Sequence, residues 1–153
     1  VVPLTELSQF NPPQLKAGGM TSLGDALKFV AQCADREVVK NTPEVKGDWK
    51  PLVFIMTDGG ATDDVDKGLI EFRKKKWGIV VACGAGSGAD TSELSKITEA
   101  VVSLDTTDSA SIAAFFKWVS ASVSTSSKSV GAANKEVSSL DQLPPPPPEI
   151  QIL

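Results

Sequence analysis

The stretch PLVFIMTDGGATDD, residues 51–64, joins an apolar run to a cluster of acids. The strand predicted over 52–57 is apolar on successive positions, which is the pattern of a parallel strand covered on both faces. Asp58 follows this strand directly, and Gly59 and Gly60 leave room for a close approach of the backbone to a ligand. Because ligands of open parallel sheets bind beyond the carboxyl ends of the strands, Asp58 is a candidate binding residue.

Strands and helices alternate on either side of this stretch. Apolar residues at helical spacing predict helices over 22–38, 64–76 and 108–124, and Asp90 with Glu93 predicts the start of a short helix that ends near Glu99. Apolar runs predict two further strands, over 79–83 and 100–104. The alternation predicts an α/β fold, a Rossmann-like parallel sheet with helices on both faces.

The composition changes after Val123. Serines and small residues dominate to Ser139, and five consecutive prolines occupy positions 144–148. This composition predicts a Ser/Pro-rich tail over 125–153 that does not order itself, attached to a domain over 1–124. Two alternatives stay open: docking of EIQIL (149–153), and recognition of the proline run by a partner.

The amino-acid composition excludes several classes of catalytic and binding site. The chain has no histidine, which excludes Ser-His-Asp and Cys-His catalysis and the common zinc sites. A net charge of −4 argues against nucleic-acid binding, and no apolar run is long enough for a membrane span. Cys33 and Cys83 lie in apolar patterns, so we expect buried free thiols in a reducing, cytoplasmic compartment. The hydroxyls and carboxylates that remain suit a hard cation such as Mg²⁺.

A second candidate ligand lies in GGMTSLGDAL, residues 18–27. Thr21 precedes the predicted helix 22–38, so its hydroxyl either caps that helix or faces the same crevice as Asp58. Asp58 also has an ordinary interpretation, since Asp-Gly is a common turn sequence.

Taken in order, the GG-x-T-x-LG-x-AL segment and the apolar strand ending in T-D-G resemble the von Willebrand factor A family. The resemblance runs from Val1 to roughly Val123 and is closest to the tellurium-resistance TerY group of bacterial proteins. It implies a metal-ion-dependent adhesion site, in which Thr21 supplies a hydroxyl and Asp58 a carboxylate to Mg²⁺. An acidic residue of a partner protein would take the open position. The implied role is non-enzymatic protein binding in a tellurite or stress-resistance system.

The sequence departs from the family pattern at one motif. The family's D-x-S-x-S motif is absent, and Asp108-Ser-Ala-Ser111 has the wrong spacing and better explains the start of a helix. VVPL (1–4) resembles the end of an extended segment, so we expect the C-terminal portion of an A domain that lacks its N-terminal strands. Mg²⁺ would then bind weakly or not at all unless the missing ligands are supplied. A second chain would cover the exposed edge of the strand 52–57.

Two other functions fit the sequence less well. Asp58, Asp63 and Asp64 suit a metal-dependent hydrolase or phosphatase, but no Lys or Arg lies between Pro51 and Asp66, and Asp63 and Asp64 suit the start of the next helix. GAGSGAD (84–90) is spaced G-x-G-x-G instead of G-x-G-x-x-G, so we expect no nucleotide but a tight turn at the carboxyl edge of the sheet that lines the ligand crevice.

Overall fold

The computed structural model describes residues 2–16 and 18–153. These residues form four α-helices: α1 (Leu23–Glu37), α2 (Val65–Arg73), α3 (Thr91–Ile97) and α4 (Ser109–Ala133). They also form four strands: β1 (Val53–Thr57), β2 (Val80–Ala85), β3 (Val101–Leu104) and β4 (Ile150–Ile152). Short 3₁₀ turns occur at Leu7–Gln9 and Leu140–Gln142. The predicted α/β class is confirmed.

The chain divides into two compact units. The first contains the residues up to Asp48 together with Thr62–Lys75, and the second contains Trp49–Ala61 together with Lys76–Leu153. The predicted division into a domain over 1–124 and a tail over 125–153 stays a prediction. The extended segment expected at 1–4 begins at Val1, which lies outside the described residues.

The first unit is built on α1 and α2, which pack against each other. The buried apolar residues recur every four positions on α1 and every three or four on α2: Leu23, Leu27 and Ala31 on α1, and Val65, Leu69 and Phe72 on α2. Val30, which lies three positions after Leu27, is exposed. The helices touch at two glycines, since a Cβ on Gly68 would lie 1.9 Å from the carbonyl oxygen of Gly24.

The second unit contains one sheet with strand order β1-β2-β3-β4. β1, β2 and β3 are parallel, with Val53 opposite Val80 and Ala82 opposite Val101. β4 runs antiparallel to β3, so the sheet is mixed and the prediction of a wholly parallel sheet is wrong at this edge. The connection from β3 to β4 includes α4 and is long enough for either direction, so the alternation of strands and helices does not determine the direction of this last strand.

Alternation along β2 sends side chains to two different layers. Val81 and Cys83 lie in an apolar cluster with Phe115 and Trp118 of α4. The opposite face carries Gly84, where a Cβ would lie 3.7 Å from the Leu94 side chain of α3. α3 and α4 therefore flank the sheet on opposite faces.

The C-terminal segment is ordered, contrary to the expected disordered tail. α4 extends to Ala133 instead of ending near residue 124. Val137, Leu143 and Ile150 are buried in the cluster beside α4, and the indole N–H of Trp118 donates to the carbonyl oxygen of Pro144 at 2.8 Å. The alternative that stayed open for 149–153, docking, is confirmed, because β4 pairs with β3.

β1 differs from its predicted environment. All five of its residues are half-buried, whereas the apolar run predicted full cover on both faces. β1 is an edge strand that pairs with β2 on one side. Tertiary position therefore overrides the sequence pattern here.

The cysteines are both free thiols, as predicted. Cys83 is fully buried, and burial raises the pKa of its thiol to about 11. Cys33 is only half-buried, and its sulfur accepts a hydrogen bond from the Arg36 guanidinium at 3.3 Å. Within the described ranges, no helix combines the length and the apolar character that crossing a bilayer requires.

Candidate functional site

Asp58 lies immediately after β1, at the carboxyl end of the strand, and is exposed. The Thr57 hydroxyl donates to the carbonyl oxygen of Gly59 at 3.0 Å, which fixes the turn that follows the strand. The Asp58 carboxylate has no hydrogen-bond partner or ion pair in the described part of the chain. Its oxygens are therefore open to an external ligand.

Two residues from later in the chain shape this turn: Gly88, in the loop 84–90 that was expected to line the ligand crevice, and Glu93, whose contact here was not predicted. Gly88 approaches the Asp58 backbone so closely that a Cβ would lie 2.9 Å from the Asp58 carbonyl oxygen. The Glu93 carboxylate accepts from the backbone N–H of Ala61 at 3.2 Å. Asp90 caps α3 as predicted, accepting from the N–H of Ser92 and of Glu93, but Glu93 binds the loop after β1 instead of closing a capping box. The three-residue spacing from Asp90 to Glu93 was the sequence feature that drew attention to Glu93, and it predicted a helix start instead of this contact.

Thr21 lies in the first unit, just before α1, and is half-buried. Its carbonyl oxygen accepts from the Thr62 N–H at 2.8 Å and from the Thr62 hydroxyl at 3.2 Å. Its own hydroxyl has no hydrogen-bond partner among the residues that the structure describes. The capping role proposed as an alternative for Thr21 is therefore absent.

The N-terminus of α1 is capped by Asp63. Its two carboxylate oxygens accept from the N–H groups of Gly24 at 3.1 Å and of Asp25 at 2.8 Å. The N-cap position itself is Ser22, whose side chain makes no capping bond. We expected Asp63 to belong to the start of α2, and that expectation is wrong because its carboxylate serves α1.

Asp64 caps α2, as predicted. Its side chain accepts from the backbone N–H of Lys67 at 3.3 Å and forms an ion pair with the Lys67 ammonium at 3.1 Å. The hydrogen bond from that ammonium, together with the one from the backbone, lowers the pKa of the Asp64 carboxyl. Asp63 and Asp64 are therefore both occupied by helix N-termini.

Asp108 caps α4 and is equally occupied. It accepts from the N–H groups of Ala110 at 2.8 Å and Ser111 at 3.0 Å, and from the hydroxyls of Thr106 and Ser111. These bonds, led by the one from Thr106, hold the pKa of this carboxyl well below its ordinary value. The interpretation of Asp108-Ser-Ala-Ser111 as a helix start is confirmed.

The donor atoms of Thr21 and Asp58 fit a hard divalent cation in kind, since hydroxyl and carboxylate oxygens are the ligands that Mg²⁺ takes. They do not complete an octahedral shell. Within the described residues no group of three or more Asp, Glu, Cys or His side chains is gathered to hold a metal. Thr21 and Asp58 belong to different units, and their convergence on one ion stays a prediction. No family model, curated protein or solved structure matches the chain.

Proposed function

We propose that the chain is a non-enzymatic protein-binding module of the von Willebrand factor A type. In this proposal Thr21 and Asp58 contribute a hydroxyl and a carboxylate to one Mg²⁺ ion, and an acidic residue of a partner protein binds the same ion. The cellular setting that the resemblance implies is a cytoplasmic tellurite or stress-resistance assembly.

The observation that carries the proposal is the contrast between these two side chains and their neighbours. Asp63, Asp64 and Asp108 are all occupied by helix N-termini. The side-chain oxygens of Thr21 and Asp58, by contrast, make no hydrogen bond within the described residues. A carboxylate that follows a strand and makes no bond of its own is available for a cation.

The chemistry explains why such a site would recognise an acidic partner. A hydroxyl ligand is neutral and leaves most of the cation's charge uncompensated, so the ion still attracts an incoming carboxylate strongly. Mg²⁺ also retains several waters when a protein offers few ligands. With two protein ligands the affinity of this chain alone is expected to be weak, and the partner or a second chain supplies the rest.

The edge of the sheet supports a second chain as part of the assembly. β1 has the sequence VFIMT, without the prolines or charged residues that usually protect an edge strand. Its pairing in the described residues is with β2 alone. A strand from another polypeptide that adds to this edge would extend the sheet beside Asp58.

Paramagnetic broadening by Mn²⁺ tests the shared site directly. Titrating Mn²⁺ into the wild-type chain is expected to broaden the amide signals of Thr21 and Asp58 at the same concentration. Asp58→Asn or Thr21→Val is expected to weaken the broadening at both positions together, since both residues bind one ion in this proposal. Asp66→Asn, which removes an exposed acid that makes no side-chain hydrogen bond in the described part, is the matched control.

Two results would contradict the proposal. Broadening at Asp58 that persists in Thr21→Val would separate the two residues and remove the shared ion. Turnover of p-nitrophenyl phosphate with Mg²⁺ or Mn²⁺ that Asp58→Asn abolishes would favour the hydrolase instead. The caps made by Asp63 and Asp64 argue against that outcome, because a hydrolytic site would need these carboxylates beside Asp58.

A further inference from the structure

A cavity of about 280 Å³ lies in the second unit, away from the carboxyl end of β1. It opens between the C-terminal half of α4, the segment that leads into β1, and the segment that follows α4. The wall residues that matter for binding are Trp49, Lys50, Leu52, Ser126, Val130, Glu136 and Val137. The indole, leucine and valine side chains make this lining mainly apolar.

An ion pair joins two of these walls. The Lys50 ammonium lies 2.5 Å from Oε2 of Glu136, and the Lys50 backbone N–H donates to Oε1 at 3.1 Å. The hydrogen bonds from Lys50 lower the pKa of the Glu136 carboxyl. Because each charge already has its partner, the cavity offers no unpaired charge, and a neutral ligand fits it best.

Ser126 supplies an unsatisfied polar group in the wall. Its side chain is 5% exposed, and its Oγ has no hydrogen-bond partner among the described residues. Serines in helices commonly bond the carbonyl four residues earlier, as Ser120 does with Phe116 at 2.9 Å. A buried hydroxyl left without a partner destabilises the fold, and a ligand that pairs with it removes that penalty.

The cavity itself follows from the sequence of α4. The buried face of this helix carries Phe115 and Trp118 in its first half, then Ser122 and Ser126 in its second half. Serine fills far less volume than an aromatic residue at the same helix position. The space beside the second half of α4 is therefore left open.

We propose that this cavity binds a small neutral aromatic molecule, of one or two fused rings, that carries one hydrogen-bonding group for Ser126. A dry cavity of about 150 Å³ holds a benzene ring, so a volume nearly twice as large suits a bicyclic ring. The rings would pack on Trp49, Leu52 and Val130, and rotation about the Ser126 Cα–Cβ bond would bring its hydroxyl to the polar group. This site is independent of the proposed cation site.

Indole and indene are the probes, because they share a shape and differ in the indole N–H. Binding to the full chain is measured by calorimetry and by shifts of the Val130 and Val137 methyl signals. Indole is expected to bind about five-fold more tightly than indene, which is the effect of one neutral hydrogen bond. Ser126→Ala removes that preference while indene binding persists.

Ser122→Ala is the matched control. Ser122 lies one turn earlier on the same face, is fully buried and is also unsatisfied within the described residues, but does not line the cavity. This variant is expected to keep the five-fold preference. Val130→Phe fills the cavity and weakens both probes at least ten-fold, about 1.4 kcal/mol.

Three outcomes would overturn the inference. The first is that neither probe binds the wild-type chain, which would mean that the cavity holds water only. The second is that the preference for indole survives in Ser126→Ala. The third is that a folded Val130→Phe variant binds both probes as the wild type does. If Val130→Phe fails to fold, the Ser126 and Ser122 pair still decides the question.

Discussion

Asp63 illustrates at the residue scale what local sequence patterns can and cannot predict. The caps made by Asp64, Asp90 and Asp108 are local, because each carboxylate bonds N–H groups two or three residues ahead. Spacing alone therefore predicts them. The Asp63 cap bonds Gly24, which lies 39 positions away in the chain. Only the packing of α1 against α2 brings these residues together, and no local pattern encodes it.

The first prediction concerns this distant cap. Asp63→Ala leaves the N–H groups of Gly24 and Asp25 without their acceptor, so we expect the free energy of unfolding to fall by about 1 kcal/mol. Urea denaturation measures the change. Asp66→Ala removes an exposed acid from the first turn of α2, and we expect it to lower the free energy of unfolding by only a few tenths of the loss in Asp63→Ala. Equal losses in the two variants would mean that charge matters here and the cap does not.

At the scale of elements, the sequence predicted the four α-helices and the three parallel strands that the structure describes, but misjudged where one of those helices ends. The serine-rich composition beyond residue 124 was interpreted as a tail, yet α4 continues to Ala133. Burial of Ser122 and Ser126 shows why, since this part of α4 packs against the unit and tertiary contacts override weak propensity. β4 was equally hard to predict, because three residues in a proline-rich context give almost no pattern.

A pair of helical glycines provides the second prediction. Gly68→Ala would place a Cβ 1.9 Å from the Gly24 carbonyl oxygen, so α1 and α2 must separate. We expect a loss of about 3 kcal/mol in the free energy of unfolding. Gly131→Ala in α4 meets no atom within 4 Å, and the better helix propensity of alanine stabilises it by about 0.5 kcal/mol. In thermal denaturation we expect the melting temperature to fall in Gly68→Ala and to rise in Gly131→Ala. A change in the same direction in both variants would contradict the close contact between α1 and α2.

The third prediction uses two isoleucines of the same strand. Ile150 is 5% exposed and belongs to the apolar cluster of the second unit, whereas Ile152 is 56% exposed. Ile150→Ala is expected to cost about 3 kcal/mol, and Ile152→Ala less than about 1 kcal/mol. Equal small losses in chemical denaturation would show that β4 does not dock as described.

At the scale of the whole molecule, acid acts on several carboxyls at once. Hydrogen bonds from lysines, hydroxyls or backbone N–H groups lower the pKa of these groups below their ordinary values of 3.8 for Asp and 4.5 for Glu: Asp35, Asp64, Glu71, Asp90, Asp108 and Glu136. The unfolded chain then binds more protons than the folded chain as the pH falls through this range. Their contribution is therefore complete above the ordinary pKa values and is lost on acidification.

The fourth prediction follows from this linkage. Above pH 4.5 the contribution of these carboxyls to the free energy of unfolding is expected to change little with pH. As the pH drops below 3.8, we expect this contribution to fall steadily. Asp108→Asn removes the most strongly hydrogen-bonded of them, so its loss of stability on acidification should be shallower than that of the wild type. Denaturation midpoints at a series of pH values measure both slopes. Parallel slopes would contradict the role given to Asp108.

The candidate cation site could be predicted only as a pair of residues. Sequence motifs single out Thr21 and Asp58, and the structure adds that their side-chain oxygens make no bond within the described residues. The approach of Gly88 to Asp58 agrees with the expected place of the loop 84–90, whereas the bond from the Ala61 N–H to Glu93 was not predicted because it joins two distant parts of the chain. A sequence shows which residue types could bind a cation. Which other residues surround them in space depends on the fold.

The strand order has a consequence for how the backbone exchanges its protons with solvent. β2 and β3 each have a neighbour on both sides, whereas β1 and β4 each have one described neighbour. In D₂O, the amides of Val80–Ala85 and Val101–Leu104 should therefore keep their protons longest, and opening them should require the disruption of the whole sheet. The slowest-exchanging hydrogens of the molecule would then mark its two central strands.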